Sequence, residues 1–155
     1  MNAGKIFLGL SIALLSFSTS FAQKIKEAEV PTVVKENFAK KYPNVKILSY
    51  EKEKGDFEIG FYMNKIVSSA IFDPNGVFKA FEQEISPFDL PKNVRDYCLK
   101  NFAEFRLTEG AKITDNEGKL FFEAEMSKGK QHFDAIFDAD GNFVRKEAME
   151  TSDSK

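Results

Sequence analysis

One nine-residue phrase is written twice in this chain. AIFDPNGVF runs from Ala70 to Phe78 and AIFDADGNF from Ala135 to Phe143, identical at six of nine positions with a constant offset of 65. Self-similarity of this kind marks an internal duplication, which constrains the fold before any other feature is read. Extending the match outward gives two units, 23–86 and 87–155. The helix of each opens on a proline, Pro31 or Pro91, at an offset of 60. The change of offset from 60 to 65 places five extra residues in the first strand region of the second unit, around Glu109 to Glu117.

Within each unit the apolar spacing predicts one short helix. Val30, Val34, Phe38 and Tyr42 form a single stripe at every fourth residue, and Leu90, Val94, Cys98 and Phe102 repeat it. The prolines fall in the first turn, where a missing N–H costs little. Four strands follow each helix. The first unit offers Val45–Lys52, Asp56–Met63, Ile66–Asp73 and Val77–Ile85. The second offers Phe105–Thr114, Lys119–Met126, Gln131–Asp138 and Asn142–Met149. Short Gly- and Asn-bearing turns between them predict antiparallel meanders. The repeated phrase itself suits a type I turn with glycine in the left-handed position.

The expected architecture is therefore α+β: a tandem repeat of a helix and a four-stranded antiparallel meander, with two helices on one side of a joined or abutting eight-stranded sheet. Units of about 60 residues bury little surface alone, so one compact body is expected. Phe88, in the connecting segment, is expected to plug the junction.

Period-two alternation assigns the faces. Phe57, Ile59, Phe61, Met63, Ala70 and Phe72 go beneath the helices, as do Phe122, Ala124, Met126, Phe133, Ala135 and Phe137. The opposite face carries Glu58, Tyr62, Val67, Ser69 and Ile71, then Phe121, Glu123, Glu125, His132, Asp134 and Ile136. Large apolar groups among charges on a water-facing sheet mark a binding patch. Tyr62, Ile71, Phe121 and Ile136 are the candidate contact residues, with Glu58 and Glu123 as rim charges. The copies differ there, Tyr62 against Ser127 and Ser69 against Asp134.

The first 22 residues are read as a cleaved secretory signal. Lys5 precedes the apolar run Ile6 to Leu15, and Ser20-Phe21-Ala22 supplies small residues at a cleavage site. The run is too short to span a bilayer. Removing those 22 of 155 residues leaves 133, with 21 Lys and Arg (Lys5 is lost) against 24 acids, a net charge of −3. This balance disfavours nucleic acid and anionic lipid as partners. A lone cysteine excludes an internal disulfide, so packing alone must hold the fold. Cys98 replaces Phe38 in the helix stripe and reads as a core residue.

Catalytic and metal chemistry find little support. His132 is the only histidine, too few for zinc or for a nucleophile–base pair. Asp138-Ala139-Asp140-Gly141 invites calcium, but the glycine falls at loop position four and Met149 at twelve, so an EF-hand fails. No enzyme activity, cofactor or metal is expected. Localised charge pairing of His132 with Asp134 is expected from their shared face.

The Pro-led helix ending in an aromatic, followed by strands and an FD-x-[ND]-G hairpin, occurs twice behind a signal sequence. In the first unit it rests on Pro31, Phe38, Tyr42-Pro43 and Phe72-Asp73-Pro74-Asn75-Gly76. In the second it rests on Leu90-Pro91, Val94, Phe102 and Phe137-Asp138-Ala139-Asp140-Gly141. This pattern resembles the PepSY-like secreted proteins, whose fold is similar to β-lactamase inhibitor protein. The resemblance implies a periplasmic or secreted protein with a concave sheet face that binds or inhibits another protein, and no catalytic residues. The alternatives are a small-ligand or calcium-responsive periplasmic protein with its ligand between the copies, and a structural protein that forms a homodimer through the sheet face.

Overall fold

The computed structural model describes residues 23–149; the signal segment read over 1–22 lies outside the described residues. The elements run β1 (Gln23–Lys24), α1 (Thr32–Lys41), β2 (Lys46–Glu53), β3 (Asp56–Met63), β4 (Ile66–Phe72), β5 (Phe78–Ile85), α2 (Lys92–Asn101), β6 (Arg106–Asp115), β7 (Leu120–Lys128), β8 (Gln131–Asp138) and β9 (Phe143–Met149). All nine strands lie in one antiparallel sheet, in chain order. The expected count was eight. The ninth is β1, where Gln23 and Lys24 pair with Lys52 and Glu51.

Both helices start just after their proline, which precedes the first helical residue with φ already near −50°. Each ends when the next aromatic, Tyr42 or Phe102, donates its N–H back to Phe38 or Cys98. The stripes face the sheet. Val34, Phe38, Val94 and Cys98 are buried, and Val30 and Leu90 are buried just before the helices.

Each helix covers its own core. Beneath α1 lie Phe57, Ile59, Phe61, Ala70 and Phe72; beneath α2 lie Ala124, Met126, Phe133, Ala135 and Phe137. Rings meet edge to face, as for Phe38 on Phe61 at 5.1 Å and Phe102 on Phe133 at 4.9 Å between centroids. Phe81 packs on the first core and Ile85 on the second. They sit four apart on β5 and so share a face, which puts both helices on the same side.

The two halves are joined by strand pairing. Ala80 to Ile85 of β5 pair with Asp115 to Gly110 of β6. The five additional residues of the second unit are spread over β6, the turn after it and β7, and β6 at ten residues is longer than β2 at eight. Phe88 does not plug this junction: it is 81% exposed. Leu90 takes that role, buried where a side chain on Gly110 would meet it at 3.0 Å.

The repeated phrase forms the turns foreseen for it. Asp73 Oδ1 accepts from the N–H groups of Asn75 and Val77, and Asp138 Oδ1 from those of Asp140 and Asn142. Asp115 does the same for Glu117 and Lys119 between β6 and β7. Each aspartate is spent on its own turn. The helices clamp two of these hairpins. Asn37 Nδ2 donates to Gly76 O at 2.9 Å, and Asn93 Nδ2 to Asp140 O at 2.6 Å.

Gly141 has φ of 77°, and a side chain there would meet Asn93 within 2.3 Å. Gly141→Ala combines left-handed strain with loss of this clamp. We expect it to lower unfolding free energy by about 1–3 kcal/mol, read as a reduced urea midpoint at unchanged slope.

Candidate functional site: an acid-lined trough

The sheet face away from the helices is not flat. Lys54, in the turn between β2 and β3, places its Nζ 2.7 Å from Glu147 Oε2 on β9. In a flat sheet β3 and β9 would be separated by six strand spacings, about 29 Å. A lysine and a glutamate together reach only about 10 Å with standard bond lengths. The sheet therefore curls away from its helices until opposite flanks touch across the open face. Four register shifts, at Ile47/Ser49, Ile71/Phe72, Leu107/Glu109 and Ile136/Phe137, supply bends. Gly60 removes bulk inside the curve: a side chain there would meet Ser49 Oγ at 2.5 Å.

Curling buries residues that no helix covers. Ala111 (5%), Ser69 (7%) and Ile136 (3%) are all on the open face and all buried. Ile136 therefore leaves the set of contact residues; it forms the floor of the trough. Tyr62 remains 40% exposed beside Val67, its cross-strand partner, at one end. Ile71 and Phe121 are half-buried, Phe121 under the Lys119 ammonium at 4.8 Å.

Glu58 and Glu123 are not rim charges. They stand half-buried in the middle with Glu82 and Asp134. Burial is the first cause that raises the pKa of all four, and neighbouring acids raise it further. Glu82 is pushed up to about 8, with Glu58 and Asp134 its strongest charged neighbours. Asp134 is pushed up to about 7 by burial, then by Glu125 and Glu147. Glu123 is held well above the carboxylate range by burial, then by Glu82 and Asp134. Glu58 is raised by burial, then lowered in part by Ser69 and raised again by Glu51 and Glu53. Although Ser69 lies near enough to act on that carboxyl, no acceptor or donor stands in hydrogen-bonding geometry to its buried Oγ.

The walls carry further charges. Glu53 and Lys54 lie on the β2–β3 side, Glu84 on β5 and Glu109 on β6; Glu125, His132, Arg145 and Glu147 lie on β7 to β9. Arg145 Nε and Lys54 Nζ both bond Glu147, whose pKa is lowered by these bonds against the upward push of burial. His132 Nδ1 lies 3.6 Å from Glu125 Oε1, so its neighbour is Glu125 rather than the expected Asp134. Lys24 edges this face from β1, and the N-terminal segment does not cover it: Ile25 turns into the helix-side core.

Other candidates resolve differently. Asp138 has its carboxylate filled by turn N–H groups and Asn142 Nδ2, which lower its pKa. Among the described residues no three His, Cys, Asp or Glu side chains are gathered closely enough to hold a metal ion. A cleft of about 440 Å³ lies under α1 between Phe38, Tyr42, Tyr50 and Ile59, with Glu27 and Lys35 at its lining. It belongs to the first half and not to the junction.

No family model matches this chain, and no curated protein does. Solved structures do. A protein from Bacteroides eggerthii DSM 20697, described as periplasmic, superposes with a TM-score of 0.62 at 16% identity, covering 77% of this chain and 88% of its own. A DUF2874 family protein from Bacteroides uniformis ATCC 8492 gives 0.62 at 13% identity, covering 76% and 88%. A protein from Bacteroides fragilis NCTC 9343 described as BLIP-like, that is, like β-lactamase inhibitor protein, gives 0.57 at 18%, covering 81% and 91%. The chain has a BLIP-like fold. Identities this low establish the shared fold, and PepSY membership does not follow from them. Within the BLIP-like fold, the open sheet face is the surface that the helices leave uncovered.

Two outcomes follow from the site and the core. Carboxylates with raised pKa hold protons more tightly folded than unfolded, so their contribution is complete below an unfolded value near 4 and is lost as pH rises towards about 8. Melting temperature is expected to fall between pH 5 and pH 8, and Glu82→Gln to flatten that fall, as measured by circular dichroism. Cys98 is fully buried and burial pushes its thiol up to about 11. It should ignore a thiol reagent in the native protein and react on unfolding.

Proposed function

We propose that this chain is a non-enzymatic binding module of the periplasm that engages another envelope or secreted protein through the open face of its sheet, as an inhibitor where that partner is an enzyme. The observation that carries this reading is the trough. A fold selected for stability alone has no reason to crowd half-buried carboxylates on one face, and such retained electrostatic strain is characteristic of functional sites. Tyr62, Ile71 and Phe121 supply apolar contacts around it, and Glu58 and Glu123 supply charge from within it. The signal reading of residues 1–22 and the periplasmic description of a structural neighbour support the location. Among the described residues no helix is long and apolar enough to cross a membrane.

In this reading the units 23–86 and 87–155 are duplicated halves that have diverged on the open face while keeping the same core. The cleft under α1 favours a second reading, a small amphiphilic ligand held by Phe38, Tyr42 and Tyr50. The open face is preferred because the charged neighbours acting most strongly on Glu58, Glu82 and Glu123 are themselves acids.

The test is capture of envelope proteins by the mature chain, compared with Tyr62→Ala/Phe121→Ala. The double variant should lose the captured partner while keeping its far-ultraviolet spectrum and melting temperature within a few degrees. Undiminished capture, or a wild-type chain that buries Tyr62 in a homodimer on gel filtration and crosslinking, would overturn the assignment.

A further inference from the structure

One cation already shows what the trough accepts. The Lys54 ammonium lies 3.1 Å from Glu53 Oε1 and 2.7 Å from Glu147 Oε2, gripped by carboxylates from opposite flanks. Below this clasp the charges are not so matched. The charged neighbours that act most strongly on Glu58, Glu82 and Glu123 are all acids. A second observation is independent of charge. Ser69 is 7% exposed, its Oγ is buried without a hydrogen-bond partner, and it sits directly across from Glu82 on the same face. A buried hydroxyl left unpaired is costly, and a donor entering the trough would satisfy it.

The chemistry of that donor is narrow. An anion is excluded by charge. A bare divalent ion needs several oxygens converging at about 2.3–2.6 Å, and among the described residues no such group exists. Ammonium and guanidinium groups need no convergence. They carry several N–H donors each and can pair with carboxylates spaced along a wall. Spacing from β3 through β5 to β8 suits several cationic side chains better than one.

Resting on the open-face reading, we propose that the trough is a cation-recognition groove for Lys and Arg side chains of a basic segment of the partner protein. Glu58, Glu82, Glu123 and Asp134 pair with the incoming charges, and Ser69 Oγ accepts an N–H. The apolar end at Tyr62 and Val67 packs against the stems of those side chains.

The experiment is titration calorimetry of the mature chain at pH 8 and low salt with a short peptide of alternating Lys and Ala. Binding should weaken with added salt. Glu82→Gln/Glu123→Gln should weaken it tenfold or more, on the order of 1.4 kcal/mol, and Ser69→Ala by a few-fold. The exposed pair Glu36→Gln/Glu117→Gln, away from the trough, should leave it within about twofold on general screening grounds. The Glu82/Glu123 variant should melt no lower than wild type at pH 8, which separates lost binding from lost fold. No binding by the wild type, equal weakening by both pairs, or calcium chloride binding in the trough while the peptide does not would each overturn the proposal. If Tyr62 and Phe121 govern capture of the natural partner but Glu82 and Glu123 do not, the open-face reading stands and this inference falls.

Discussion

Pairing of β5 with β6 over six residues on each strand is the constraint from which the remaining architecture follows. It turns a five-stranded and a four-stranded meander into one sheet and removes two hydrogen-bonding edges that would otherwise invite association. Strand faces are continuous across it, so α1 and α2 must both lie on the side that Phe81 and Ile85 share. It also sets the far flanks at a distance from which bulges and twist can bring them together. Without it the acids of β2 and those of β8 would belong to separate bodies, and Glu53 would not raise the pKa of Asp134.

The strain in the trough and the order in the core are two results of the same alternation. Each strand sends one set of side chains under a helix, where aromatic edges and faces interlock. The intervening set goes to a face with no cover of its own. Curling then supplies partial cover, while the counter-charges it brings, Lys54 and Arg145, are bonded to Glu147. Burial and neighbouring acids raise the pKa of the carboxylates placed there above the ordinary carboxylate range. The sheet is thus held in shape by its apolar side against a polar side that would relax if it could open.

Much of this was legible in the sequence because it is local. The stripe at every fourth residue located both helices, and the turn dipeptides bounded the strands to within two residues. Alternation assigned Phe57, Ile59 and Phe61 to the core and Glu58 to the other face. What alternation does not encode is what lies opposite a face. Alternation places Ile136 and Glu58 on the face away from the helices, but how far that face is covered depends on bulges and on pairing between distant strands. Phe88 is expected at the junction from its place in the connecting segment, yet Leu90, at the stripe position, fills it. Gln23 and Lys24 carry no strand pattern in two residues; only the free edge of β2 makes them a strand.

The Lys54–Glu147 contact joins a turn made early in the chain to the last strand described. A chain synthesised from its N-terminus has β3, β4 and β5 available before β9 is made. Until then the first-half acids face open solvent, and nothing closes the groove over them. The trough is therefore the last feature to be completed. A chain that ends before β9 lacks the Glu147 side of the trough.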